Sequence, residues 1–161
     1  MKRHPMLHGH QRSIRGMSLI EVLIAALILA IGLLGVAALQ ATALRNAQGS
    51  LARSQAVMES YAILDSIRAA IPAAAVNDAA AKTAAIDAYD LARTCTVPTA
   101  TATLAQNDRR LWMTNLHRAL GGTACGTINC VNNVCTVTVE WDETRSTGGT
   151  ANYSISTVSQ L

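Results

Sequence analysis

The chain has 161 residues, enough for one modest domain with an extension, and half of them are apolar. Only five are aromatic and none is Phe, which is unlike the core of a large globular domain. The formal charge of +3 depends on four basic residues ahead of Met17; without residues 1–16, nine Lys or Arg remain against ten Asp or Glu. The charge therefore gives no reason to expect a nucleic-acid partner.

An apolar run extends from Val22 to Leu39, eighteen residues without a charge or a strongly polar side chain. A helix of that length covers ~27 Å, about the thickness of bilayer hydrocarbon. The basic residues before the run are expected to hold that end in the cytoplasm. We therefore predict a single-pass protein in the lipid of the inner membrane, with its N-terminus cytoplasmic and the remaining chain in the periplasm.

The helical pattern continues past the apolar run to Ile71, where Pro72 stops the helix or kinks it. In its second half, apolar residues recur at spacings of three, four and seven and mark one helical face: Leu44, Ala47, Leu51, Met58 and Tyr61. We predict one long helix over residues 17–71. Residues 17–39 would be membrane-spanning, and residues 40–71 would be amphipathic and pack on the remaining domain.

Residues 72–161 are expected to form the head domain. Its Ala-rich beginning predicts a short helix around Ala79–Ala92, followed by extended or irregular structure at Thr94–Thr103. A second helix is predicted to start with Asp108 as its N-terminal cap and to run to Leu120.

The last part of the chain has strand character. Ile128–Val131 and Val134–Trp141 flank Asn132–Asn133, whose residue type tolerates the positive φ angles of a two-residue hairpin turn. Asn152–Val158 supplies a third strand. We expect an α+β fold in which a small antiparallel sheet of about three strands packs on the second half of the long helix.

The segment from Gly16 to Glu21 reads Gly-Met-Ser-Leu-Ile-Glu and stands directly before the apolar run. In a secretory signal peptide the apolar region precedes the cleavage point, whereas here the polar basic segment comes first. An uncompensated carboxylate in hydrocarbon costs ~2.5 kcal/mol or more. A positive group close to Glu21 would compensate it. The alternative is a Glu that extends outward to the lipid interface.

This segment resembles the class III signal of type IV prepilins, in which a Gly precedes a Phe or Met, a small residue and a Leu, and a Glu is the fifth mature residue. Those positions are occupied by Gly16, Met17, Ser18, Leu19 and Glu21. The resemblance implies cleavage after Gly16 by the prepilin peptidase, loss of residues 1–16 as a leader, and N-methylation of Met17. It also implies a pilin fold, in which Glu21 neutralises the terminal amine of a neighbouring subunit and sets the axial register.

Gly32 and Gly35 lie inside the apolar run. They would permit close helix approach or local melting of the helix during assembly. Gly is also common in membrane helices that have no such role. The sequence favours neither a packing role nor a chance occurrence of these two residues.

Further along, the chain resembles the minor pilins known as type IV pilus modification protein PilV, through Trp112, Leu116, the Gly121–Gly122 pair and the strand end Trp141–Asp142. That resemblance implies a low-abundance subunit that primes or modifies pilus assembly and passes from the inner membrane to the pilus. Its partners would be other major and minor pilins and the inner-membrane assembly platform. The alternatives are a type II secretion minor pseudopilin of the I type, and a membrane-anchored binding domain that never polymerises.

Four cysteines lie on the side of the chain expected to face the oxidising periplasm, and an even count there predicts two disulfides. Cys130 and Cys135 are placed symmetrically about the predicted turn and would face each other across the hairpin. This favours the bridges Cys130–Cys135 and Cys95–Cys125, while the other two pairings remain open. Zinc is the less favoured interpretation, since the chain has no Cys-x-x-Cys and no His beside the cluster.

The remaining polar residues form no catalytic pattern and no cofactor-binding loop, so we expect no enzymatic activity, no cofactor and no metal. Asp142 and Glu143 are a weak candidate for calcium binding with neighbouring carbonyls. His117 is interpreted as a surface or hydrogen-bonded histidine, and Trp112 and Trp141 as core residues.

Overall fold

The computed structural model describes residues 16–146 and 148–161. Its helices are α1 (Leu19–Ala70), a 3-10 turn at Ala73–Asn77, α2 (Ala79–Asp87) and α3 (Leu104–Leu120), and its strands are β1 (Leu91–Thr94), β2 (Cys125–Val131), β3 (Val134–Trp141) and β4 (Tyr153–Gln160). Of the expected leader, only Gly16 falls among the described residues. The chain divides into two units, Met1–Gln40 and Ala41–Leu161, and the second of these is the head unit.

The fold class predicted from sequence is confirmed, because the structure has a long N-terminal helix packed on a small antiparallel sheet. The strand order is β1-β2-β3-β4, and every neighbouring pair is antiparallel. Asn132 and Asn133 have φ angles of 52° and 62°, so the expected two-residue turn joins β2 to β3. Along β3, buried residues alternate with half-buried ones, and the buried side faces the helices.

The sheet has four strands because of β1, which the sequence did not predict. A helix was expected to continue to Ala92, but α2 ends at Asp87 and Leu91 pairs with Ile128 of β2. Ala favours helix, but tertiary pairing decides this short segment. Between α2 and β1 in the chain, the side chain of Tyr89 is buried.

The predicted start of α3 was also wrong. The N-terminal cap is Thr103, whose hydroxyl oxygen accepts a hydrogen bond from the amide of Gln106 at 3.2 Å, while the side-chain oxygen of Gln106 accepts one from the amide of Thr103 at 3.2 Å. This reciprocal capping box satisfies two donors and therefore outcompetes a later start. Asp108 lies inside the helix and accepts a hydrogen bond from the Tyr89 hydroxyl at 2.5 Å.

The core of the second unit lies between α1, α3 and the sheet. Its fully buried members include Leu64 and Ile67 of α1, Met113 of α3, and Val137 and Val139 of β3.

The face of α1 that packs on the sheet is not the face predicted from apolar spacing. The buried positions are Gly49, Ala56, Ser60, Ile63, Leu64 and Ile67. The predicted residues lie on the opposite side, where Leu44 is 65% exposed and Leu51 is 57% exposed. The physical reason is close approach: at Gly49, an added Cβ would stand 2.5 Å from the side-chain oxygen of Ser146. Small side chains therefore occupy the packed face where the helix first meets the head.

Candidate functional site

The junction between the N-terminal segment and α1 is exposed and non-helical. Gly16, Met17 and Ser18 precede the first helical residue, and the side chain of Met17 is 75% exposed. The carbonyl oxygen of Ser18 accepts hydrogen bonds from the amides of Glu21 and Val22, at 3.0 and 3.3 Å. The Gly16–Met17 peptide bond thus lies in a stretch of chain that a protease could reach without unwinding the helix.

Glu21 lies in the first turn of α1, where a carboxylate interacts favourably with the partial positive charge of the helix terminus. Within residues 16–146 and 148–161, its carboxylate has no hydrogen-bond or ion-pair partner. The terminal amine that cleavage would create is four residues away along the chain. Within the described residues, the helix terminus is therefore the positive partial charge that lies near Glu21.

The first part of α1 is apolar and wholly exposed. An 18-residue window in the helix has a mean hydropathy of 2.9, and none of it is buried. Among the described residues this is one helix that is long and apolar enough to cross a membrane, judged by length and composition alone. Exposed apolar surface on this scale is unfavourable in water and needs lipid or other helices around it.

Among the described residues, Gly32 and Gly35 have no neighbour that requires glycine. A Cβ added at either position would meet no atom within 4 Å. Their missing side chains leave a shallow surface strip on the helix, the feature that lets two membrane helices approach closely.

A second apolar surface lies on α1 beyond Gln40. We call it the outward stripe, and it consists of the exposed residues Leu44, Ala47, Leu51, Met58 and Tyr61. At 100° per residue these positions fall roughly opposite the buried face. In this part of the helix one apolar side is packed on the sheet, and the other has no cover within the described chain.

An ion pair fixes α1 against the loop between β3 and β4. The Arg53 guanidinium donates to both carboxylate oxygens of Glu143, with Nε–Oε1 at 2.9 Å and Nη2–Oε2 at 2.8 Å. The guanidinium also stands 4.3 Å from the ring centroid of Tyr153, whose ring is 5.1 Å from that of Trp141. The hydrogen bond to Glu143 raises the pKa of Arg53. Because the pair is bidentate, it adds a directional contact between the helix and this loop.

The same ion pair removes the calcium candidate. Both oxygens of Glu143 are occupied by Arg53, and the carboxylate is almost wholly buried. Asp142 is exposed and accepts a hydrogen bond from the amide of Thr144 at 2.9 Å, and hydrogen bonding from Thr144 lowers the pKa of Asp142. Across the described ranges there is no group of three or more His, Cys, Asp and Glu residues that could hold a metal.

Two disulfides brace the sheet, Cys95–Cys125 and Cys130–Cys135. They are the two bridges favoured from sequence. Cys130 and Cys135 are direct partners across the hairpin, and Cys95 ties the chain that follows β1 to the start of β2. Cross-links of this kind constrain the unfolded chain and stabilise a head with few aromatic residues.

The other candidate residues have structural roles. Trp112 is buried and its indole N–H donates to the carbonyl oxygen of Glu59 at 3.1 Å. Trp141 is also buried, and a ring nitrogen of His117 lies 3.1 Å from the carbonyl oxygen of Ala124.

Sequence reasoning missed the Arg53–Glu143 pair. The two residues are 90 positions apart in the sequence. The one local feature that could have suggested the pair was a charged residue, Arg53, beside the apolar stripe of α1.

Comparison with known proteins agrees with the N-terminal part of this description. Residues 11–37 match the family model described as the prokaryotic N-terminal methylation motif. The chain has no significant match among curated proteins or among solved structures. The motif, with the exposed apolar helix that it opens, supports a type IV pilin-like or pseudopilin protein that is anchored in a membrane through α1.

Proposed function

We propose that the protein is a minor pilin, a low-abundance subunit that joins a type IV pilus and helps to prime or modify its assembly. The role is structural and involves no catalysis. The partners are other pilins, which bind through α1, and the inner-membrane assembly platform.

The observation that carries the proposal is the outward stripe. A membrane anchor accounts for the exposed apolar residues between Val22 and Leu39, because lipid covers them. It does not account for Leu51 at 57% exposed or Met58 at 60% exposed, which belong to the head unit. A domain that never polymerises would leave these side chains in water, whereas helices of neighbouring subunits would cover them.

Processing precedes assembly in this proposal. The prepilin peptidase cuts after Gly16 and the new amine of Met17 is methylated. The amine then neutralises Glu21 of an adjacent subunit, which removes the cost of a carboxylate in hydrocarbon and sets the axial offset between helices. Gly32 and Gly35 allow the helices to approach closely at that offset.

A type II secretion pseudopilin is the second candidate, because the methylation motif is common to both kinds of machine. The pilus modification proteins are favoured over the pseudopilins by a sequence resemblance: in this chain, strand β3 (Val134–Trp141) ends in the pair Trp141–Asp142. Deletion of the gene separates the two: loss of surface pili and twitching supports the first, and loss of exoprotein export supports the second.

The direct test is substitution of Glu21. Glu21→Ala is expected to leave processing and membrane insertion intact and to abolish recovery of the protein in sheared surface pili. Glu21→Asp is the matched control, since it keeps a carboxylate one methylene shorter, and should retain part of the incorporation. Unchanged recovery of the Ala variant in pili would contradict the proposed role of Glu21.

A further inference from the structure

The two disulfides of the head unit lie on opposite faces of the sheet. Cys125 and Cys130 are both in β2, five positions apart, and side chains an odd number of positions apart along a strand point to opposite faces. The Cys130–Cys135 bridge lies in the hydrophobic core, where its two residues are 6% and 0% exposed. Cys125 is opposite Glu140 of β3, so the Cys95–Cys125 bridge lies on the side of the sheet away from that core.

The two sulfur atoms of the Cys95–Cys125 bridge differ in their surroundings. Cys95 is half-buried and lies outside any helix or strand, whereas Cys125 is 6% exposed. The Arg93 guanidinium donates from Nη2 to Sγ of Cys125 at 3.5 Å. It also donates from Nε and Nη2 to Oε2 of Glu140, at 2.9 and 2.7 Å, and this ion pair holds it beside the bridge. Sγ of Cys95 is therefore the easier atom for a thiol to reach, and a cation stands beside the other sulfur.

A bridge with such unequal ends opens in one preferred direction. In thiol–disulfide exchange a thiolate attacks one sulfur and expels the other, and the step is faster when the attacked sulfur is accessible and the departing thiolate is stabilised. A neighbouring arginine stabilises a thiolate by its positive charge. Cys95 carries the accessible sulfur, and Cys125 leaves beside Arg93. Once protonated, the Cys125 thiol can donate to the carbonyl oxygen of Thr123, 3.5 Å away.

We propose that the Cys95–Cys125 bridge is a redox site that takes a dithiol as its substrate, of the kind that thiol–disulfide oxidoreductases carry. One thiolate of the dithiol attacks Sγ of Cys95, the bond between the two cysteines breaks, and its electron pair leaves on Sγ of Cys125. The second thiolate of the dithiol attacks the dithiol's own sulfur in the mixed disulfide and expels Cys95. The dithiol loses two electrons and two protons and becomes a disulfide, and the two cysteines take up both.

Opening this bridge is expected to free one edge of the sheet and to leave the rest of the head folded. β1 has four residues and an irregular register with β2, and Cys95 follows it directly. Residues 95–103 lie outside any helix or strand and lead to Thr103, the N-terminal cap of α3. The Cys130–Cys135 bridge and the core around it do not involve Cys95. Reduction should therefore open β1 and residues 95–103 locally. The site uses no residue of α1, so this inference and the proposed function do not depend on each other.

The first test compares the two bridges in the full chain, purified in detergent micelles and treated with dithiothreitol. Samples are quenched with an alkylating reagent, and mass spectrometry gives the labelled fraction of each cysteine over time. Cys95 and Cys125 should be labelled on the order of tenfold faster than Cys130 and Cys135. Glutathione, which has a single thiol, should be recovered on Cys95 with Cys125 alkylated. Equal rates for the two bridges, or glutathione on Cys125, would overturn the proposal.

Variants of Arg93 separate stabilisation of the departing thiolate from a merely structural role. Arg93→Met removes the charge beside Cys125 and should slow the reduction by roughly threefold or more. Arg93→Lys keeps a cation and should be reduced at nearly the wild-type rate. Arg110→Met, at an exposed position on α3, is the matched control for the loss of one positive charge and should leave the rate unchanged. If Arg93 only braced β1 through Glu140, its loss would loosen this edge and speed the reduction, and that result would contradict the assigned role.

Hydrogen exchange measures what the reduction releases. After selective reduction, the backbone amides within residues 94–103 should exchange faster, while the amides that join β3 to β2 and β4 stay protected. Exchange that is unchanged in residues 94–103, or a loss of protection across the whole sheet, would overturn the local opening.

Discussion

The two sides of α1 in the head unit are both apolar, but they differ in side-chain size. The packed side begins with Gly49, Ala56 and Ser60, and larger side chains enter it only at Ile63 and beyond. The outward stripe carries Leu, Met and Tyr along the same length of helix. Small side chains let the helix lie close to its own sheet, whereas large exposed ones offer area to a partner. Apolar spacing alone does not distinguish a core face from a surface that awaits another subunit.

The largest expected effect is a difference in unfolding free energy between variants on the packed side of α1 and variants on the outward stripe. Leu64→Ala on the packed side should cost about 2–5 kcal/mol of unfolding free energy, because Leu64 is fully buried. Leu51→Ala on the outward stripe is the matched control and should change it by less than about 0.5 kcal/mol. Denaturant unfolding in micelles, followed by the near-ultraviolet signal of the buried Trp residues, measures both. Similar losses for the two variants would refute the assignment of faces.

The next prediction concerns the ion pair between α1 and the loop that follows β3. Arg53→Met leaves the buried carboxylate of Glu143 without a cation and should lower the melting temperature by roughly 5 °C. Adding Glu143→Gln should recover much of that loss, because the charge that was left unpaired is gone. If the double variant were less stable than the single one, the pair would not be acting as described.

The smallest expected effect is a pH-dependent change in stability at Glu59, which lies beside the packed side of α1. Burial raises the pKa of Glu59 above its ordinary value of 4.5. The folded state then holds the proton to higher pH than the unfolded state, so this residue lowers stability as the pH rises above that value. Glu59→Gln should raise the melting temperature by roughly 1–2 °C near neutral pH, and the difference from wild type should vanish in acid. A gain that is the same at both pH values would point to another cause.

Sequence reasoning reached the parts of the fold that local chemistry decides. The long helix ended by Pro72, the Asn132–Asn133 turn and the alternating strand that ends at Trp141 follow from residue type and spacing. Strand β1 and the buried face of α1 could not be predicted in this way, because both depend on residues far away in the sequence. Strand β1 pairs with Ile128 of β2, and the buried face of α1 packs against the sheet and Ser146.

The candidate site also has a part that the sequence predicted and a part that it did not. Gly16, Met17 and Glu21 stand in a contiguous motif and were visible in the sequence. The exposed stripe was also visible, but it was interpreted as a core face. Which side of α1 packs is decided by distant contacts, such as that of Gly49 with Ser146, and no local pattern encodes them.

The most direct test of the account is photo-crosslinking in intact, piliated cells, with a photoreactive amino acid in place of Leu51. The account predicts a covalent adduct with another pilin-like subunit, and no such adduct from the same group at Ala80, an exposed position on α2. A Leu51 probe that reacts only with lipid or water, or a probe at Ala80 that captures the same subunit equally well, would contradict it.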